Sequence, residues 1–198
     1  MCFQRHKMLF ALSATLMGAS VGQASLIVGS LPLNGGSVAQ NGADLFVSTI
    51  ITATTSVNLS LGSGDYAFIP VGTNFGPTTL NYTSNATLSA FTFSNPVFGS
   101  FAGANNPLNQ VIQKTANFLD VFIVGTFTPG TAAGWAGKDP SLTGLRFSVN
   151  QSGVSISEAI TLNSPPVPPN NVPEPTTWAL IGSALVGVGL IQRRRFTA

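Results

Sequence analysis

Polar and apolar positions alternate with period two along most of the chain, the spacing of strands half-buried on a core. Val57, Leu59 and Leu61 alternate with Ser56, Asn58 and Ser60; Gly62-Ser63-Gly64-Asp65 then predicts a turn into a second strand, Tyr66 to Ile69. Leu145, Phe147 and Val149 alternate with Arg146, Ser148 and Asn150, and Gln151-Ser152-Gly153 predicts a turn into Val154, Ile156, Ile160 and Leu162. From Phe118 to Phe127 nearly every position except Asp120 and Thr126 is apolar, as expected of a strand covered on both faces. Thr87 to Phe93 predicts a further strand, stopped by Asn95-Pro96. No stretch of the body keeps a helical period, and Asn109 to Ala116 allows at most a short helix. Seven to nine strands predict an all-β fold: an antiparallel β-sandwich of jelly-roll or immunoglobulin-like kind.

The two ends follow different rules. Arg5, His6 and Lys7 precede an apolar run from Met8 to Met17, and Gly22-Gln23-Ala24 supplies small residues for cleavage between Ala24 and Ser25. This is the plan of a secretory signal peptide. At the other end, Val172-Pro173-Glu174-Pro175 is followed by seventeen uncharged residues and then by Arg193, Arg194 and Arg195. As a helix, seventeen residues cover roughly 25 Å, enough for a short bilayer span. Trp178 stands where an interfacial aromatic belongs, and the arginines would stay on the cytoplasmic side as a membrane stop.

The combination of Pro173-Glu174-Pro175, an apolar run ending at Ile191 and the cluster Arg193–Arg195 resembles the PEP-CTERM sorting signal. That resemblance implies an exported protein of a Gram-negative, biofilm-forming bacterium. It also implies recognition and cutting near the Pro-Glu-Pro segment by the membrane enzyme exosortase. Within the body, Asn117 to Pro129, Leu145 to Val149 and Ser155 to Ser157 resemble strands of a recurrent type among such proteins, one that implies no known catalytic activity. The expected division is a signal peptide (1–24), a sandwich domain (25–163), a Pro-rich linker ending in the motif (164–175), a transmembrane sorting helix (176–192) and a basic cytoplasmic tail (193–198). Six prolines between Ser164 and Pro175 predict a stiff linker that holds the domain off the membrane.

Removing both addresses changes the charge. The whole chain carries a formal +2, but residues 25 to 171 hold three bases against five acids, a balance of −2. The basic character belongs to the addresses, so nucleic-acid binding gains no support. Cys2 and His6 lie within the signal, leaving a mature body with no thiol and no imidazole. Disulfide stapling and Cys- or His-based nucleophilic catalysis are thereby excluded, and no cofactor or metal is expected.

Carboxylate chemistry would have to use Asp44, Asp65, Asp120, Asp139 or Glu158, none of them close in sequence. Asp65 and Asp139 read as turn residues, and Glu158 as an edge or bulge in an alternating strand. Asp120, inside the most apolar segment, calls for exposure on one face, a partner such as Arg146, or a bound Ca²⁺. Trp135, within Ala-Gly-Trp-Ala-Gly, is either a packed loop anchor or a sugar-stacking platform. Asn58, Asn81, Asn85 and Asn150 match the glycosylation sequon. The expected function is a non-enzymatic structural or adhesive protein of the cell surface or extracellular polysaccharide. A carbohydrate-binding module and a two-carboxylate hydrolase are the rivals.

Overall fold

A computed structural model describes residues 25–169. In chain order these form β1 (Ser25–Leu26), β2 (Gly29–Gly36), β3 (Ala39–Gln40), β4 (Ile50–Ala53), β5 (Thr55–Val57), β6 (Ser63–Gly64) and β7 (Thr78–Asn81). A short helix α1 (Asn85–Leu88) precedes β8 (Thr92–Asn95), β9 (Gly99–Gly103), β10 (Gln110–Lys114) and β11 (Phe118–Thr128). A 3₁₀ turn (Ala133–Trp135) leads into β12 (Lys138–Asp139), β13 (Ser141–Ser152) and β14 (Ser155–Ser164).

The main sheet is antiparallel and runs β5-β2-β14-β13-β11-β9-β8, with β10 also on β11 and β6 on β2. A second, three-stranded sheet runs β3-β4-β7. The inner faces of both contribute to one core, with Leu31, Leu33, Phe147 and Leu162 from the main sheet and Ile51 and Leu80 from the small one. The all-β expectation therefore holds with antiparallel sheets, divided unevenly into nine strands and three. Many strands are only two to four residues long, which is why fourteen form where seven to nine were expected. One pair, β1 with β12, is parallel.

The β13–β14 hairpin follows its sequence closely. Leu145 faces Leu162 and Phe147 faces Ile160 on the buried side, while Arg146 and Thr161 face out. The turn is Gly153-Val154, with Gly153 at φ 60, a conformation that suits glycine at the first position of a two-residue hairpin loop. Strand β11 is buried on both faces as expected. Leu119, Val121 and Ile123 point into the core, and Phe122 and Val124 are sealed on the outer face.

Four expectations fail locally. Thr87 is helical, because Ser84 caps α1: its hydroxyl accepts from the Thr87 amide while the Thr87 side chain caps Ser84 in return. The strand there begins only at Thr92. Asn109 to Ala116 contains strand β10, because the free edge of β11 offers a ladder that a short isolated helix cannot match. The Val57–Leu61 alternation is inverted: β5 stops at Val57, Ser56 and Asn58 are buried, and Leu59 and Leu61 are exposed. Asn58 exchanges backbone hydrogen bonds with Gly72 and Thr73, and its side chain accepts from the Ser60 amide, so a polar residue organises the interior of a loop. Tyr66 to Ile69 forms a turn and not a strand, though Tyr66 and Ile69 are fully buried.

Candidate functional site

The first and last described segments meet at one pole of the main sheet. Gly29 of β2 pairs with Ser164 of β14, so the chain arrives from Ser25 beside the point where β14 ends. Three hydroxyls fix that exit. Tyr66 Oη lies 2.7 Å from Ser164 Oγ, and Thr143 Oγ1 lies 2.6 Å from the same atom. Burial pushes the Tyr66 phenol up to about 12, which keeps it a neutral hydrogen-bonding group at physiological pH. On the arriving side, Ser141 Oγ accepts from the Ile27 amide at 2.7 Å and donates to the Asp139 carbonyl. Asp65 Oδ2 accepts from the Val28 amide and from Lys138 Nζ, each at 2.8 Å. The Lys138 hydrogen bond holds the Asp65 carboxyl below its ordinary range.

Beyond Ser164 the chain does not project away from the domain. Pro166 lies over Gly144, where any Cβ would come within 3.1 Å of the Pro166 Cα and of the Phe122 ring. Val167, Pro168 and Pro169 continue beside Phe122, Arg146 and Asn163. The first part of the expected spacer is thus a strap across the outer face, and it helps to explain the burial of Phe122 there. Proline suits this path: it has no amide hydrogen to satisfy against a sheet face and its φ is already fixed.

The five body acids are dispersed. Asp44 accepts from the Phe46 and Val47 amides as a turn cap. Asp120 is buried on the outer face of β11 and receives Arg146 through both Nε, at 3.0 Å and 3.2 Å, and Nη2, at 2.6 Å. Ser148 Oγ donates to it as well, at 3.3 Å. Of the three readings open for Asp120, the partner is the one present. Asp139 is exposed on β12. Glu158 corrects its expectation: it lies neither on an edge strand nor at a bulge, but inside β14 between β13 and β2. It faces the interior opposite Val149, and its carboxylate fills the space left by Gly35, with no hydrogen-bond partner for either oxygen. Burial raises its pKa to about 7. Among the described residues, no group of three or more His, Cys, Asp or Glu side chains converges on a point that could hold a metal.

Trp135 is buried. Its ring meets Phe68, Tyr66 and Phe127 at centroid distances of 4.8, 5.6 and 5.5 Å, and its Nε1 donates to the Phe98 carbonyl at 3.0 Å. It is the packed anchor, with no face free for a sugar. Of the sequon asparagines, Asn58 is fully buried. Sequence reasoning missed the hydroxyl cluster at Ser164 and the strap; the run of prolines announced stiffness but not the glycine at 144 that receives it.

The sorting residues Val172, Pro173, Glu174 and Pro175, the stop Arg193–Arg195 and the cleavage residue Ala24 lie outside the described residues. Ser25, on the other side of that bond, begins β1. Among the described residues no helix is long and apolar enough to cross a membrane, and the predicted span, 176–192, lies beyond them. Comparison of the whole chain with protein families matches residues 171–195 to the PEP-CTERM protein-sorting motif. The chain carries a PEP-CTERM sorting signal. It is thereby an exported protein and an exosortase substrate, handled at the membrane on its way toward the cell surface. The curated proteins and the solved structures gave no match to the chain. The PEP-CTERM match covers the tail alone, so the role of the body rests on its own residues.

Proposed function

We propose that the body is a non-enzymatic structural or adhesive domain of the cell surface or extracellular polysaccharide, delivered there by its PEP-CTERM tail. The signal peptide is removed between Ala24 and Ser25. The apolar stretch 176–192 holds the tail in the membrane, and exosortase cuts near the Pro-Glu-Pro segment. The observation that carries the non-enzymatic reading is the employment of the acids. Asp44, Asp65 and Asp120 each hold a structural partner, and Glu158 is sealed in the core. Proton transfer to a substrate needs a carboxyl within hydrogen-bond reach of it. Only Asp139 among the five is both exposed and uncommitted. The burial of Trp135, the aromatic considered as a sugar platform, counts against the carbohydrate-binding rival.

Two measurements test this. Mass spectrometry of the surface form should give an N-terminus at Ser25 and a C-terminus between Pro173 and Thr177. An intact Arg193–Arg195 cluster in that form would leave a plain membrane anchor. In a host lacking the gene, Asp139→Asn should restore matrix cohesion as fully as the native chain; failure by a folded, exported Asp139→Asn protein would reopen carboxylate chemistry.

A further inference from the structure

The pole where the chain enters and leaves the domain carries an open groove of about 350 Å³. Its walls are Leu26, Val28, Leu142, Pro165 and Pro166. Leu26, Val28 and Leu142 are 65%, 58% and 56% exposed, an unusual outlay of aliphatic surface at one place. The polar group at its floor is already used, since the Ser141 hydroxyl serves Ile27 and Asp139. Asp65 and Lys138 beside it neutralise each other, which leaves Asp139, on the strand paired with Leu26, as the one uncompensated side-chain charge on that border among the described residues.

We propose that this groove rests on the lipid bilayer while the domain is still joined to its tail. The inference rests on the reading of residues 176–192 as a membrane span. From Pro169, the last described residue, Trp178 is nine residues away, so the two are separated by at most about 30 Å of extended chain. Because the strap holds residues 165–169 on the outer face beside Phe122, Arg146 and Asn163, these five residues add nothing to that tether. A tether this short holds the groove at a high effective concentration over the membrane surface, so a patch too small to bind lipid unaided becomes occupied. Aliphatic side chains with one neighbouring charge suit the interface between headgroups and acyl chains, where apolar burial and a polar rim coexist. Cutting near Pro173 removes the tether, and the contact then lapses by dilution. Exosortase processing would detach the domain from the lipid without any conformational change in it.

The test uses residues 25–198, the chain after signal removal and before exosortase cutting, which contains no thiol. Single cysteines are then placed at Leu142, at Val154 on the opposite hairpin tip, and at Thr176 at the start of the span. Each bears a fluorophore, and the chain is reconstituted into phosphatidylethanolamine–phosphatidylglycerol vesicles containing nitroxide lipid. Quenching at Leu142→Cys should be several-fold stronger than at Val154→Cys, with Thr176→Cys also quenched. Adding Leu26→Ser and Val28→Ser should weaken the Leu142 signal and leave Thr176 unchanged, with the thermal unfolding curve unaltered. Quenching at Thr176 with Leu142 no different from Val154 would overturn the bilayer contact alone. No quenching at any site would remove the span reading and this inference together. Quenching of Leu142 by a nitroxide on a second copy of the chain, and not by lipid, would make the groove a protein interface and overturn the proposal.

Discussion

Asp120 and Glu158 are two carboxylates buried within the same sheet, 2% and 3% exposed, and they are treated in opposite ways. Asp120 lies on the outer face of β11, where the diagonal neighbour Arg146 reaches it with two nitrogens and keeps half of its own side chain in water. Glu158 lies on the inner face of β14, where Val149 and Gly35 offer volume and no donor. The pair teaches that burial alone does not set the cost of a charge. The cost depends on whether a neighbouring strand can supply a counter-charge whose far end stays hydrated. On the outer face β13 can do so; inside the core it cannot, and burial there favours the neutral form of Glu158, raising its pKa to about 7.

The severest way to break the comparison is to add a third carboxylate. Val121 adjoins Asp120 on β11 but points into the core, fully buried, with Phe147 opposite it. Val121→Asp has neither the Arg146 of one case nor the glycine-made space of the other. It should cost more than about 4 kcal/mol. The domain should then fail to fold, read as loss of β-type circular dichroism and of soluble protein.

Removing a partner comes next. Arg146→Met keeps most of the side-chain volume and leaves Asp120 buried with only Ser148 as a donor. Breaking a buried pair from one side costs about 3–5 kcal/mol, and the half-exposed guanidinium places this site in the lower part of that range, about 3–4 kcal/mol. Urea denaturation should show it as a lowered midpoint with unchanged slope. Asp120→Val together with Arg146→Met should recover most of the loss, because the cost lies in the orphaned charge and not in the missing attraction. A double variant no more stable than Arg146→Met would mean that the pair itself carries the stability.

The same contrast explains what was legible in the sequence. Period-two alternation located β13, β14 and their hairpin, and a near-continuous apolar run located β11, because these strands are long and each buried side chain repeats the same message. The Asp120–Arg146 pairing was readable as an option because both residues interrupt apolar strands. The Val57–Leu61 segment misled for the converse reason. Alternation over five residues says that two faces differ, but not which one is covered; there the Asn58 hydrogen bonds decided for the polar face. The exported, exosortase-directed character was written in order and spacing at the tail, without help from the fold. The strap and the groove depend on Gly144, Phe122 and Leu142 meeting prolines more than twenty residues further on, a contact that no local pattern encodes.

Glu158 gives the smallest and most diagnostic effect. Its pKa rises from 4.5 to about 7 in the fold because burial disfavours the carboxylate. Val149 and Gly35, its neighbours on β13 and β2, carry no charge that would offset this. Between those two values the folded chain holds a proton that the unfolded chain has released, so stability must fall as pH rises. The favourable contribution is fully present below about pH 4.5 and is lost as pH passes through about 7. The shift corresponds to about 2–3 kcal/mol between pH 5 and pH 8, allowing for some relaxation around the ionised form. Glu158→Gln occupies nearly the same volume and cannot ionise. It should flatten this slope of unfolding free energy against pH while leaving the acid-side behaviour of Asp65 in place. Its absolute stability at pH 5 should not exceed that of the native chain, since an amide without partners replaces an acid without partners. At pH 8 it should be the more stable of the two. A native chain whose stability does not change between pH 5 and pH 8 would mean that Glu158 has a partner in solution after all, and the two carboxylates would then be alike.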